Sequence, residues 1–157
     1  MVHALVAKLQ KHSLTVTTAE SCTGGMIASR IVDVPGASGV LREAMVTYAN
    51  EAKQERLGVS EETLATFGAV SEETAFQMAQ GACRYAKADL SLVSTGIAGP
   101  GGGTAKKPVG LVYVGACLHG TVRVEKYIFS GSRTQVREQT AAAAIALGMQ
   151  MLTEMYP

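Results

Sequence analysis

The chain has 157 residues, of which 47% are apolar and 17% charged, a balance that fits one domain with a full hydrophobic core. A formal net charge of +1, no Trp and an aromatic content of 5% argue against a nucleic-acid binder, which needs many phosphate-neutralising cations and base-stacking rings. A small charged metabolite is compatible with the same figures.

Met1 to Gln10 is too short and too interrupted by His3 and Lys8 for a signal sequence, and no apolar run approaches the roughly 18 residues of a membrane span. A cytoplasmic protein without membrane or nucleic-acid partners is therefore expected. Cys22, Cys83 and Cys117 are odd in number and widely separated, as reduced thiols would be. Neither they nor His3, His12 and His119 show metal-ligand spacing, so no metal site and no cofactor are expected.

In chain order, Val2 to Lys11 reads as a short amphipathic helix with Leu5, Val6 and Leu9 on its apolar face. The β-branched residues of Leu14 to Thr17 predict a strand, and Met26 to Val32 repeats its apolar residues at helical spacing. The turn between them holds Ser21, Cys22 and Thr23, then Gly24 and Gly25. Such a turn suits a nucleophile facing an anion or oxyanion site, because glycines admit close approach of backbone N–H groups. A hydroxyl at a helix start is more commonly a plain N-cap, and this stretch by itself favours the cap.

Pro35 to Gly39 is punctuated as a loop, and Val40 to Tyr48 predicts a strand that delivers Tyr48, Asn50 and Lys53 at its end. Glu51 to Leu57 reads as a short helix closed by Gly58. Ser60 and Ser71 each precede a Glu-Glu-Thr, a capping-type helix start; the second launches a helix over residues 72–88. Leu90 to Thr95 has the composition of a central strand and runs into a loop rich in glycine up to Thr104. No Gly-Lys-Ser/Thr closes that loop, so it is not a Walker loop. Gly110 to Leu118 and Thr121 to Phe129 alternate around His119-Gly120 and predict a β-hairpin, with His119 an exposed turn residue. Ser132 is the expected N-cap of a final helix reaching about Met155. Arg133 and Arg137 lie one turn apart at its start, against the helix dipole; a bound anion would account for them, and so would a solvated salt-bridging face.

Four spaced stretches, Ala19 to Gly25 (AESCTGG), Val46 to Lys53 (VTYANEAK), Ser94 to Gly110 (STGIAGPGGGTAKKPVG) and Ser132 to Glu138 (SRTQVRE), together resemble the CinA C-terminal-domain family. That family includes stand-alone nicotinamide-mononucleotide deamidases. The resemblance runs from about Leu5 to Leu152 and implies a single three-layer α/β/α sandwich over residues 1–157, with a mixed central sheet including the hairpin in its C-terminal half. It further implies metal-free hydrolysis of the carboxamide of nicotinamide mononucleotide, giving nicotinic acid mononucleotide and ammonia. By matching positions, Ser21 is the expected nucleophile and Tyr48 and Lys53 its proton-transfer partners. Cys22, Thr23, Gly24, Gly25, Asn50, Thr95, Gly101, Gly102, Gly103, Thr104 and Arg137 are the expected substrate-binding positions. A small-molecule nucleotide is the expected partner, in a homo-oligomer for which a dimer is favoured.

The residues themselves fit that chemistry. No histidine is well placed for a triad, so Lys53 with Tyr48 is the better base system, provided burial or a neighbouring cation lowers the lysine's pKa. N–H groups at the start of the helix after Ser21 would face the oxyanion, while Arg137, the glycine loop and Thr104 would hold the phosphate. Two other readings stay open: a non-catalytic nucleotide- or phosphate-binding module, and a thiol amidase using Cys22 at the helix N-terminus.

Overall fold

In the computed structural model, which describes residues 1–157, five strands form one sheet in the order β2-β1-β3-β4-β5. The strands are β1 (Val16–Glu20), β2 (Leu41–Val46), β3 (Leu90–Gly96), β4 (Leu111–Leu118) and β5 (Thr121–Ile128). β1 runs parallel to both β2 and β3, whereas β3, β4 and β5 pair antiparallel, so the sheet is mixed. The helices are α1 (Val2–Lys11), α2 (Met26–Val32), α3 (Asn50–Leu57), α4 (Glu61–Phe67), α5 (Glu72–Ala86) and α6 (Arg133–Met155).

Alternation along the strands divides the core in two. Val16, Leu90, Leu92, Val114, Ala116 and Leu118 face one side and pack with Leu5 and Leu9 of α1, Ile27 and Ile31 of α2, and Leu147 and Met151 of α6. Ala19, Met45, Val93 and Cys117 face the other and pack with Leu57, Leu64, Met78 and Ala82. The result is the expected three-layer α/β/α sandwich. Because both faces of β1 and β3 are covered, these strands are buried nearly throughout, as central parallel strands are.

The path of the chain positions the site. From β1 it crosses through α2 on one face to the edge strand β2, then returns through α3, α4 and α5 on the opposite face to β3. The loops leaving β1 and β2 therefore diverge to opposite sides of the sheet, while the loop leaving β3 turns back into β4. That divergence opens a crevice at the strands' C-terminal ends, the usual ligand position in such sheets.

Local signals set most boundaries. Gly58 closes α3 in the left-handed conformation (φ 70°), and Ser60 and Ser71 accept from the N–H groups of Thr63 and Thr74. His119 and Gly120 both have positive φ, the two-residue turn that matches strand twist. His119 is exposed as expected, with its Nε2 2.7 Å from the Tyr156 hydroxyl. The first strand is a correction: it begins at Val16 and extends to Glu20 rather than covering Leu14 to Thr17. The charge of Glu20, which ends the pattern when read as sequence, is absorbed by the turn described next. No helix is long and apolar enough to cross a membrane.

Candidate active site

β1 ends at Glu20, and the chain turns through Ser21 to Gly25 before α2 begins. The Ser21 N–H donates to the Ser94 carbonyl of β3 (3.0 Å) and the Gly24 N–H closes back on the Ser21 carbonyl (3.1 Å). Ser21 is thus held at the mouth of the crevice by the neighbouring strand and by its own turn. Gly24 and Gly25 both have positive φ (59° and 102°), which is why the two glycines are needed there.

Lys53, on α3, reaches the same point from the other side. Its Nζ lies 3.1 Å from Ser21 Oγ, 2.9 Å from the Thr47 carbonyl and 3.0 Å from the Tyr48 carbonyl. It is 1% exposed and has no carboxylate partner within ion-pair distance. Burial, opposed weakly by Cys22, lowers its pKa from 10.5 to about 8. As an ammonium, Lys53 has three N–H donors for three acceptors. As an amine it keeps two donors for the carbonyls and turns its lone pair to the Ser21 hydroxyl. The site therefore accommodates a Ser–Lys pair in which the amine accepts the hydroxyl proton.

A cavity of about 270 Å³ opens in front of Ser21. Cys22, Tyr48 and Thr95 line it, with Ala69 and Val70 from the loop before α5, Gly99, Gly101 and Gly102 from the glycine loop, and Arg133 from α6. Thr95 is fixed by donating its hydroxyl to the Ala69 carbonyl (2.7 Å). Tyr48 touches Lys53 through its carbonyl; its hydroxyl lies 3.4 Å from Arg133 Nη2. Arg133 also donates to the Gly99 carbonyl (2.9 Å), which steadies its guanidinium at the cavity rim.

Several expected positions lie elsewhere. Arg137 does not line the cavity: its Nε and Nη2 donate to the carbonyls of Cys22 (3.0 Å) and Thr23 (2.9 Å). Those two carbonyls give a cation at the start of α6 its partners. Gly103 packs beside Val109, and the Thr104 hydroxyl accepts from the Lys107 N–H (3.0 Å) within its own loop. Asn50 opens α3 at the exposed surface. Thr23, Gly24 and Gly25 form the turn beneath the cavity rather than its wall.

Sequence reasoning assigned no role to Glu20. This residue is 0% exposed, and its Oε1 accepts from Thr23 Oγ1 (2.6 Å) and the Ile27 N–H (2.8 Å), its Oε2 from the Ala28 N–H (3.1 Å). The first N–H groups of α2 thus serve Glu20, correcting the expectation that they would face an oxyanion. The Cys22 N–H, by contrast, donates to no backbone carbonyl. The thiol of Cys22 is poorly suited to attack: it is 8% exposed, and burial, partly offset by Ser94 and Arg137, pushes its pKa up to about 11. No three His, Cys, Asp or Glu side chains converge anywhere in the molecule.

Comparison with known proteins agrees with this architecture. A family model described as the CinA C-terminal domain matches residues 1–152. A CinA-like protein of Kosmotoga olearia is 52% identical over 141 residues, which are 90% of this chain and 34% of that protein. The chain spans about a third of the length of the curated relatives it matches. Among solved structures, a CinA superfamily protein of Klebsiella pneumoniae superposes with a TM-score of 0.93 at 31% identity, covering 98% of this chain and 96% of that one. The competence/damage inducible protein CihA of Agrobacterium tumefaciens gives 0.92 at 42% identity, with 97% and 95% covered.

Proposed function

The chain belongs to the CinA C-terminal-domain family, and from that membership and its Ser21–Lys53 pair we propose that it is a serine amidohydrolase acting on the carboxamide of nicotinamide mononucleotide. The observation that carries the reaction type is the 3.1 Å approach of a buried lysine, its pKa lowered to about 8, to a hydroxyl at the mouth of a cavity. The choice of nucleotide rests on the family resemblance together with the guanidinium of Arg133 at the rim.

Neutral Lys53 takes the Ser21 hydroxyl proton as Oγ attacks the carboxamide carbon. Negative charge then develops on the carboxamide oxygen, and we assign the Cys22 N–H as a donor to it, the residue after the nucleophile being a common source of such a group. Collapse of the tetrahedral species breaks the C–N bond while Lys53 returns the proton to the departing nitrogen, releasing ammonia and leaving an ester on Ser21. Water, deprotonated by Lys53, adds to the ester; its collapse releases the carboxylate and restores the serine hydroxyl. Each half-reaction moves one proton through Lys53, so one residue serves as base and acid. Arg133 forms a charge-assisted contact with the phosphate, and Tyr48, whose hydroxyl accepts from Arg133, presents its own O–H to the same region.

An ammonia-release assay on nicotinamide mononucleotide tests the proposal. Wild-type protein should release ammonia stoichiometrically with nicotinic acid mononucleotide, and Ser21→Ala should bind the nucleotide without turning it over. Binding without ammonia release by the wild type would favour a non-catalytic nucleotide-binding module. Loss of activity in Cys22→Ala with activity kept in Ser21→Ala would move the nucleophile to the thiol.

A further inference from the structure

The serine turn is gripped from two sides by opposite charges. On the sheet side, Glu20 collects the Thr23 hydroxyl and two N–H groups of α2. A carboxylate only accepts, so the Thr23 hydroxyl must donate to it; the Ser94 hydroxyl, 2.7 Å away, then donates to Thr23 Oγ1. This chain of contacts joins β1, the turn, α2 and β3 in a region without solvent. On the outer side, Arg137 holds the carbonyls of Cys22 and Thr23, and sits so close that a Cβ on Gly24 would lie 3.3 Å from its Nη2. In a trans peptide the C=O and N–H point in opposite directions. Holding these two carbonyls outward fixes the Cys22–Thr23 and Thr23–Gly24 peptide planes, and the Gly24 N–H, closing on the Ser21 carbonyl at 3.1 Å, carries the constraint to the Ser21–Cys22 peptide that bears the Cys22 N–H.

We propose that Glu20 and Arg137 act as a two-sided clamp on the Ser21 turn, positioning the nucleophile and the adjacent N–H group without touching substrate. The inference rests on the serine-hydrolase reading above, and it makes Arg137 a positioning residue rather than a phosphate ligand. An ordinary helix cap would need one acceptor at the start of α2. Here a buried carboxylate ties the turn's Thr23 hydroxyl to the first N–H groups of α2 while a guanidinium answers the turn's carbonyls, so the turn is anchored to the helix on one side and to α6 on the other. A displacement of about 1 Å at such a point lowers turnover by about 100-fold while leaving ground-state contacts in place.

The test compares Glu20→Gln, Thr23→Val and Arg137→Met with wild type. Two readouts are used: steady-state ammonia release from nicotinamide mononucleotide and its phosphate-free riboside, and the rate at which a fluorophosphonate labels Ser21. All are measured per folded molecule, folded fraction being read by circular dichroism. Gln keeps the size of Glu20 but turns an amide NH₂ toward N–H donors, and Val keeps the size of Thr23 without its hydroxyl, so Thr23→Val serves if Glu20→Gln does not fold. The clamp predicts kcat down about 10- to 100-fold on both substrates, KM within about 2-fold and slower Ser21 labelling in all three variants. A loss confined to KM for the nucleotide in Arg137→Met, or labelling as fast as wild type in the variants, would overturn it. Wild-type protein that labels at Ser21 but releases no ammonia would instead remove the proposed substrate and leave the clamp to be judged on labelling. Wild-type protein unlabelled at Ser21 and inactive would remove the nucleophile, and the clamp's purpose with it.

Discussion

Lys53 has no counter-ion, and its nearest partners are two carbonyls and a hydroxyl, so the charged form gains little from its surroundings and loses its hydration. Its pKa of about 8 follows from that burial, and in the proposed reaction, where the reactive form is the neutral amine, it sets the pH dependence. kcat/KM should therefore rise about 10-fold per pH unit below that value and level off above it. Lys53→Arg, which stays protonated, should lose about 100- to 10,000-fold and show no such rise; a flat profile in the wild type would rule Lys53 out as the base. Tyr48 was expected to share the proton transfer, but it meets Lys53 through its carbonyl, which Tyr48→Phe preserves. That variant should leave the midpoint of the pH profile in place, and a shifted midpoint would return the hydroxyl to the relay. Ser21 and Lys53 were legible from their motifs. Glu20 was not assigned a role because nothing local marks a glutamate as buried; the available signal was an acidic residue closing an otherwise apolar and β-branched strand, three residues before Thr23.

The start of α6 shows what one element contributes beyond its packing. Arg133 and Arg137 lie one turn apart, yet Arg133 lines the cavity and Arg137 grips the serine turn. Arg133→Ala should raise KM for the nucleotide about 10- to 100-fold, matching roughly 1.5 to 3 kcal/mol for a hydrogen bond to a charged group, and leave the riboside unchanged. Equal effects on both substrates would mean that Arg133 does not see the phosphate. A second element contact positions Lys53 from behind: at Gly81 of α5 a Cβ would lie 1.8 Å from the Leu57 carbonyl that ends α3. Gly81→Ala should destabilise the fold by about 1 to 3 kcal/mol in urea unfolding, since α3 must move away; an unchanged midpoint would show that the helices slide freely. Helix ends were readable because caps act within one turn, as at Gly58, Ser60, Ser71 and Ser132. The destination of Arg137, 115 residues from Cys22, depends on how α6 lies over the sheet, and no local pattern encodes that.

At the scale of the whole molecule, the crossing of the chain from one face of the sheet to the other puts Ser21, the glycine loop and α3 at one end, and so commits a lysine to the interior. That burial lowers stability at neutral pH, in an amount that pH itself reveals. Below about 8 Lys53 is protonated folded and unfolded, and the cost of burying the charge is fully present. Between about 8 and 10.5 the unfolded chain still holds the proton while the folded chain has released it, so stability contributed by this residue rises with pH. Above 10.5 both states are neutral and the rise ends. The slope is about 1.4 kcal/mol per pH unit and the total about 3 kcal/mol. The quantity to measure is the difference in unfolding free energy between wild type and Lys53→Met, followed by urea denaturation from pH 7 to 11, in which contributions common to both proteins cancel. Met has a comparable chain without a titrating group, and its loss of hydrogen bonds to Thr47 and Tyr48 is the same at every pH. Wild type should gain on the variant by about 3 kcal/mol across that window, with most of the gain above pH 8. A difference that stays constant from pH 7 to 11 would mean that Lys53 keeps an ordinary pKa when folded, and would take away the neutral amine on which the proposed hydrolysis depends.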